Sequence, residues 1–295
     1  MEDTKDTKET EDTKKTKAMS DTKVEEKKDA SCKNFTIVTA LVDVGRGKWD
    51  GMYYRPFSWY LNYFEKILLR FDCNMMIFVE EENIPFVEEK RKNFPGKTKI
   101  IPISLEKDYL LIEDLERIEE CQLLMSKEVN TKDLNCPELA IPIYPIVVNN
   151  KVEFMHRAMI MDHFGTDYFI WIDAGYGHGK YEVPEKHQWD PSGLIQEAGE
   201  KVLVCTLQQR ISSEEYKQFY QDHQDFIDGG LWIAKKEALE KLHSIYYETI
   251  RQTMTDLSII DDDQYYMAMC CAHHPELFFE LFVGGWHARE WLVQL

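Results

Sequence analysis

The chain has 295 residues and a formal net charge of −18, with 44% apolar and 13% aromatic residues. That apolar share is enough for a substantial core and excludes a disordered chain, while the charge speaks against nucleic acid or an anionic membrane surface as partner. Seven cysteines without a CxxC pair or metal-ligand spacing suit a reducing compartment; with no signal peptide and no run able to span a bilayer, the expected localisation is cytoplasmic.

In chain order, residues 1–33 repeat an acidic-Thr-Lys unit, at Asp3-Thr4-Lys5, Asp6-Thr7-Lys8, Asp12-Thr13-Lys14 and Asp21-Thr22-Lys23. Such a segment cannot offset its ordering entropy by burial and is expected to be a solvated tail. Residues 34–295 are expected to form one domain. Phe35 to Val42 reads as the first strand, followed by the loop Asp43-Val44-Gly45-Arg46-Gly47. An aromatic amphipathic helix is expected from Pro56 to Phe71, with Pro56 in its first turn. A strand from Met75 to Glu80, a helix from Asn83 to Asn93 and a strand from Lys99 to Ser104 come next. Residues 105–140 read as acidic helix, an insertion beside the sheet. A helix from Val147 to His163 leads to the apolar run Asp167-Tyr168-Phe169-Ile170-Trp171-Ile172-Asp173, a central strand buried on both faces. Later strands are expected at Lys201 to Leu207, Leu231 to Ala234 and Leu277 to Val283, and helices at Lys235 to Met254 and Asp263 to Ala272. This alternation predicts an α/β fold, a wound and mostly parallel central sheet flanked by helices.

Several constellations offer chemistry. An ionised Asp173 inside the strand would cost several kcal/mol unpaired, so it is expected to emerge at the carboxyl end, where open α/β sheets bind ligands. There it either caps the following turn or holds a divalent cation, which suits a phosphorylated donor. Gly45-Arg46-Gly47 lacks the spacing of a dinucleotide fingerprint or a P-loop; Arg46 is either solvated or a planar fork for phosphate. Lys151, near a helix start, is either a surface lysine or a group in reach of a diphosphate over the sheet's end. Asp228-Gly229-Gly230 reads equally as a turn and as a site where glycine leaves room for a ligand and Asp228 meets sugar hydroxyls. One or two acids of Asp261-Asp262-Asp263-Gln264 are explained by N-capping and the helix dipole; three in a row point further, to a cation site or an acid/base role. His287, beside Gly284-Gly285-Trp286 and Arg289, is either structural or a metal ligand.

Taken together, Val38-Thr39-Ala40-Leu41-Val42-Asp43-Val44-Gly45-Arg46, Trp171-Ile172-Asp173-Ala174-Gly175, Ile227-Asp228-Gly229-Gly230 and Asp262-Asp263-Gln264 resemble the HtrL/YibB-like proteins over nearly the whole chain after Phe35. The resemblance implies a glycosyltransferase-A-like fold and a transferase moving a sugar from a nucleotide-sugar donor to a hydroxyl acceptor, with Mn²⁺ or Mg²⁺. It implies that Asp173 is the first acid of a DxD motif on the donor diphosphate, with Gly175 standing where the second acid would be, so that metal ligation is shared with His287, mediated by water, or absent. Lys151 and Arg46 then fall to the donor, Asp262 and Asp263 to catalysis, and Asp228, Gly229, Gly230 and Gln264 to the sugar and acceptor pocket. Two other classes stay open, a nucleotide- or sugar-binding protein without catalysis and a metal-dependent nucleotidyl or phosphoryl transferase.

Overall fold

The computed structural model describes residues 34–49, 51–128, 134–207 and 226–284. The predicted tail and His287 both lie outside the described residues. Strand β1 (Phe35–Leu41) is buried at every position but Ala40, as a run with apolar side chains on both faces should be. Helix α1 (Phe57–Lys66) takes Pro56 as its N-cap rather than in its first turn. It also stops short of the predicted Phe71, because Ile67 has a non-helical backbone and a 3₁₀ turn, Leu68–Arg70, follows. Strand β2 (Met75–Glu80), helix α2 (Ile84–Arg91) and strand β3 (Thr98–Ile103) complete the first half. Arg91 is buried, and its guanidinium donates to the carbonyls of Leu69, Phe71, Cys73 and Lys97. It therefore ties α2 to the segments that lead into β2 and β3.

Next come helices α3 (Leu105–Asp108), α4 (Leu115–Glu128), α5 (Pro137–Ala140), α6 (Ile143–Asn149) and α7 (Lys151–Met161). The expected insertion beside the sheet is part of its cover: Ile118, Cys121 and Met125 of α4 are buried in the same core as Phe78 and Trp171. The single helix expected from Val147 to His163 is two helices that meet at Asn150. The reason lies in two adjacent asparagines. Asn149 donates to the carbonyls of Pro145 and Asp261, while Asn150 donates to Asp108 O and accepts from Leu110 N.

Strand β4 (Tyr168–Ile172), helix α8 (Ser192–Ala198) and strand β5 (Val202–Thr206) precede strand β6 (Ile227–Lys235). Helix α9 (Lys236–Gln252), helix α10 (Asp263–His273) and strand β7 (Phe278–Phe282) follow. Strand β6 is longer than the predicted Leu231 to Ala234 and takes in Asp228-Gly229-Gly230, which is therefore strand and not turn.

The seven strands form one sheet in the order β3-β2-β1-β4-β6-β5-β7. β6 runs antiparallel to both of its neighbours, and the other pairings are parallel. Pairing of β5 with β6 slips between Val204 and Thr206, so the Asp228-Gly229-Gly230 stretch bows out of the regular ladder. Alternate side chains fill two cores. Val38, Phe78, Trp171 and Trp232 face α7, α9 and α10; Ile37, Ile77, Ile172 and Leu203 face α1, α2 and α8. Among the described residues, no helix is long and apolar enough to cross a membrane.

Candidate active site

Chain connections reverse direction across the sheet between β1 and β4, since β2 and β3 lie on one side of this pair and β5 to β7 on the other. Ligands of open α/β sheets bind in the crevice beyond the carboxyl ends of the strands at such a point. The loops that leave β1 and β4 bring Arg46 and Asp173 there.

Asp173 directly follows β4. Strand side chains alternate, so Asp173 shares a face with Trp171, and the Trp171 indole Nε1 donates to its Oδ1 at 2.7 Å. Lys151, the first residue of α7, crosses the same face. Its Nζ lies 3.1 Å from Asp173 Oδ1, 2.8 Å from Asp263 Oδ2 and 3.1 Å from the Gly229 carbonyl oxygen. Four segments distant in sequence thus meet on one ammonium group. The Lys151 and Asp263 side chains keep only 14% and 9% of their surface exposed, whereas Asp173 keeps 39% and is the member of the trio open to a ligand.

Glycine at position 229 is a steric requirement. A Cβ there would sit 2.1 Å from Asp263 Oδ2 and 3.2 Å from Gln264 Cγ, so strand β6 lets α10 approach only where it has no side chain. Gly230 accepts from Asp173 N through its carbonyl, and its own N–H donates to Asp228 Oδ1 at 2.8 Å. Asp228 is fully buried, and its carboxylate holds the irregular strand through Gly230 N.

The three consecutive acids have separate surroundings. Asp261 Oδ1 accepts from Asp262 N. Asp262 is the N-cap of α10, its Oδ1 accepting from Gln264 N and Tyr265 N at 3.1 Å each and its Oδ2 from Gln264 Nε2 at 3.3 Å. Asp263 turns inward to Lys151. Of the two acids predicted to be catalytic, Asp262 is engaged in capping and Asp263 faces the crevice. Among the described residues, the buried amide oxygen of Gln264 has no hydrogen-bond partner.

Electrostatics follow from this packing. Burial pulls the Lys151 pKa down, but the charges of Asp173 and Asp263 together outweigh it and hold the ammonium form. Burial raises the Asp263 pKa, Lys151 opposes it, and Asp173 adds to the rise. Asp262 is pushed well up by burial and by the charges of Asp261, Asp263 and Glu138.

The opposite wall comes from α1 and the loop after β1. Arg46 donates through Nη1 to the Tyr60 hydroxyl at 3.1 Å and through Nε to Tyr53 O at 3.3 Å, and it lies 5.2 Å over the Trp49 ring. Tyr60 in turn covers Gly175, where a Cβ would stand 3.0 Å from two atoms of the ring. A side chain at 175 would therefore press on the Tyr60 ring, which would have to give by a few tenths of an ångström.

The structure therefore brings Lys151, Asp173, Gly229, Gly230, Asp263 and Gln264 together, with Asp262 beside them as the cap of α10 and with Arg46 and Gly175 linked through Tyr60. Sequence reasoning missed Trp171, Tyr60 and Asn149. Trp171 was within reach of it, because a residue two before Asp173 on a strand shares its face. Tyr60 and Asn149 carry no local signal. Asn149 accepts from the Tyr246 hydroxyl at 2.6 Å and donates to Asp261 O at 2.9 Å, fixing the acidic loop against α9.

Residues 33–291 match the family described as "Bacterial protein of unknown function (HtrL_YibB)". The chain is 28% identical over 260 residues to Protein HtrL of Escherichia coli (strain K12), covering 84% of this chain and 88% of that protein. Among solved structures it is similar to mouse xyloside xylosyltransferase 1 in its apo form, at a TM-score of 0.46 and 15% identity over 84% of each chain. It is also similar to core-mannan synthase A of Aspergillus fumigatus in its Mn/GDP form, at a TM-score of 0.49 and 7% identity over 84% of this chain and 72% of that one.

Proposed function

We propose that this chain, which belongs to the HtrL/YibB family, is a glycosyltransferase that moves a sugar from a nucleotide-sugar donor to a hydroxyl acceptor with Mn²⁺ or Mg²⁺. The observation that carries this reading is the convergence of Asp173, Lys151 and Asp263 on the crevice where the strand order reverses. The GT-A-like fold implied by the family resemblance agrees with it.

The residues fit a divalent cation. One lysine against two aspartates leaves a net negative charge, and the partly exposed Asp173 carboxylate is the kind of single ligand that Mg²⁺ accepts when waters and substrate phosphates fill its remaining positions. Such a cation, when bound, neutralises charge that develops on the leaving diphosphate. Lys151 supplies a second positive charge at the same place. Asp263, with its basicity raised by burial, is the carboxylate suited to take the acceptor's proton. As the acceptor oxygen bonds to the anomeric carbon, the bond from that carbon to the diphosphate breaks and the nucleoside diphosphate leaves.

Glycine at 175 favours a second reading, a protein that binds the nucleotide without transfer. A thermal-shift panel of nucleotide sugars with and without Mn²⁺ tests both, followed by single-turnover transfer with any sugar that binds. Asp173→Asn is expected to weaken Mn²⁺-assisted binding of a nucleoside diphosphate about ten- to a hundredfold, the equivalent of one charge-assisted contact. Equal affinities for the two proteins would remove Asp173 from the metal site; binding without turnover would favour the second reading; turnover of nucleoside triphosphates without preference for nucleotide sugars would make the protein a phosphoryl transferase.

A further inference from the structure

On the outer side of α7 and α9 lies a second cluster that the proposed transfer reaction does not use. Helix α7 carries Glu153 and His156, and α9 carries Glu240 and His243, so each helix presents a Glu-x-x-His pair at i, i+3 spacing. The pairs are crossed. His243 Nε2 lies 2.7 Å from Glu153 Oε2 and His156 Nε2 lies 2.9 Å from Glu240 Oε2. The two imidazoles stack 3.9 Å apart at 17°. Ligand atoms of Glu153, His156 and His243 all lie within 4.8 Å of one another. Their side chains are mostly covered, at 14%, 17% and 22% exposure, so little rotamer entropy remains to be lost on binding.

We infer that Glu153, His156 and His243 form a binding site for a borderline divalent transition metal, Zn²⁺ in particular, that clasps α7 to α9. Glu-x-x-His pairs on facing helices are a recurring way of building metal sites between helices. Two imidazoles and one carboxylate suit Zn²⁺, unlike the single exposed carboxylate of Asp173. Glu240, hydrogen-bonded to His156, is the outer carboxylate that orients its ring. Uptake replaces the proton shared by Glu153 and His243 with the metal and releases that proton.

The test uses full-length, untagged protein stripped with a chelator, loaded with Zn²⁺ and passed through gel filtration, with bound metal measured by elemental analysis. One equivalent of Zn²⁺ is expected in wild type and in Asp173→Asn, with a rise in melting temperature. Substitution with Co²⁺ is expected to give the intense visible bands of a four-coordinate site. His243→Ala and the shape-conserving Glu153→Gln are each expected to weaken Zn²⁺ at least tenfold in competition with a chromophoric chelator. Failure of wild type to retain Zn²⁺ would overturn the site and leave two hydrogen-bonded Glu–His pairs. So would retention that is unchanged in a His156→Ala, His243→Ala double variant.

Discussion

Asp262 and Asp263 are adjacent in sequence, yet their side chains have different duties. Asp263→Asn is expected to keep the donor bound while slowing transfer about 10²–10⁴-fold, the contribution of a positioned general base. Asp262→Asn is expected to leave transfer intact, because Asn is as good an N-cap as Asp. The same substitution has a pH signature. The folded-state pKa of Asp262 lies above its unfolded value, so its charge costs stability as pH rises from about 3.9 through the folded value. Asp262→Asn should therefore raise the urea midpoint at pH 8 and lose that gain as the pH falls toward about 4; a gain that does not vary with pH would contradict the assignment. Gly229→Ala is expected to cost roughly 1–3 kcal/mol in the same measurement, as overpacked sites do, since its Cβ would fall 2.1 Å from Asp263 Oδ2. Asp173 at the strand's end and an N-capping acid before α10 could be read from the sequence because each has a local signature. The bonds of Lys151 could not, because its partners lie 22, 78 and 112 residues away.

At the level of elements, the strands were the most legible, and β2 was expected over the span it occupies. Apolar runs declare a buried strand without reference to the rest of the chain. The errors occur where tertiary contacts decide. The break at Asn149 and Asn150 depends on partners in α3, α9 and the acidic loop. Asp228-Gly229-Gly230 reads by composition equally as a turn and as a ligand-side stretch, but it lies within β6, where Ile227 before it and Leu231 after it pair with β5 and β4. The acidic surface of α4 conceals a buried stripe, Ile118, Cys121 and Met125, spaced three and four residues apart as on a helix face. Ile118→Ala is expected to cost about 2–5 kcal/mol, the range for emptied core sites, and chemical denaturation checks it. A surface insertion would lose much less.

Viewed whole, the described residues form a seven-stranded sheet between two helical layers, with the candidate active site at the edge of the layer that contains α7, α9 and α10. The long acidic-Thr-Lys repeat before Phe35 has few apolar residues with which to offset its ordering entropy. Deleting residues 1–33 is accordingly expected to leave the melting temperature unchanged, and differential scanning calorimetry of the two chains would expose any contribution from the repeat.

Lys151 also connects ligand binding to the proton inventory of the whole protein. As long as its ammonium rests on Asp263, it opposes the rise that burial imposes on that carboxyl. A pyrophosphate that draws the ammonium to itself removes this opposition and leaves burial in place, so the affinity of Asp263 for protons increases. Binding of a nucleotide sugar, whose pyrophosphate has no proton to exchange near neutral pH, should then be accompanied by proton uptake from the buffer. Isothermal titration in two buffers of different ionisation enthalpy would register it as a difference in apparent binding heat, and that difference should vanish in Asp263→Asn.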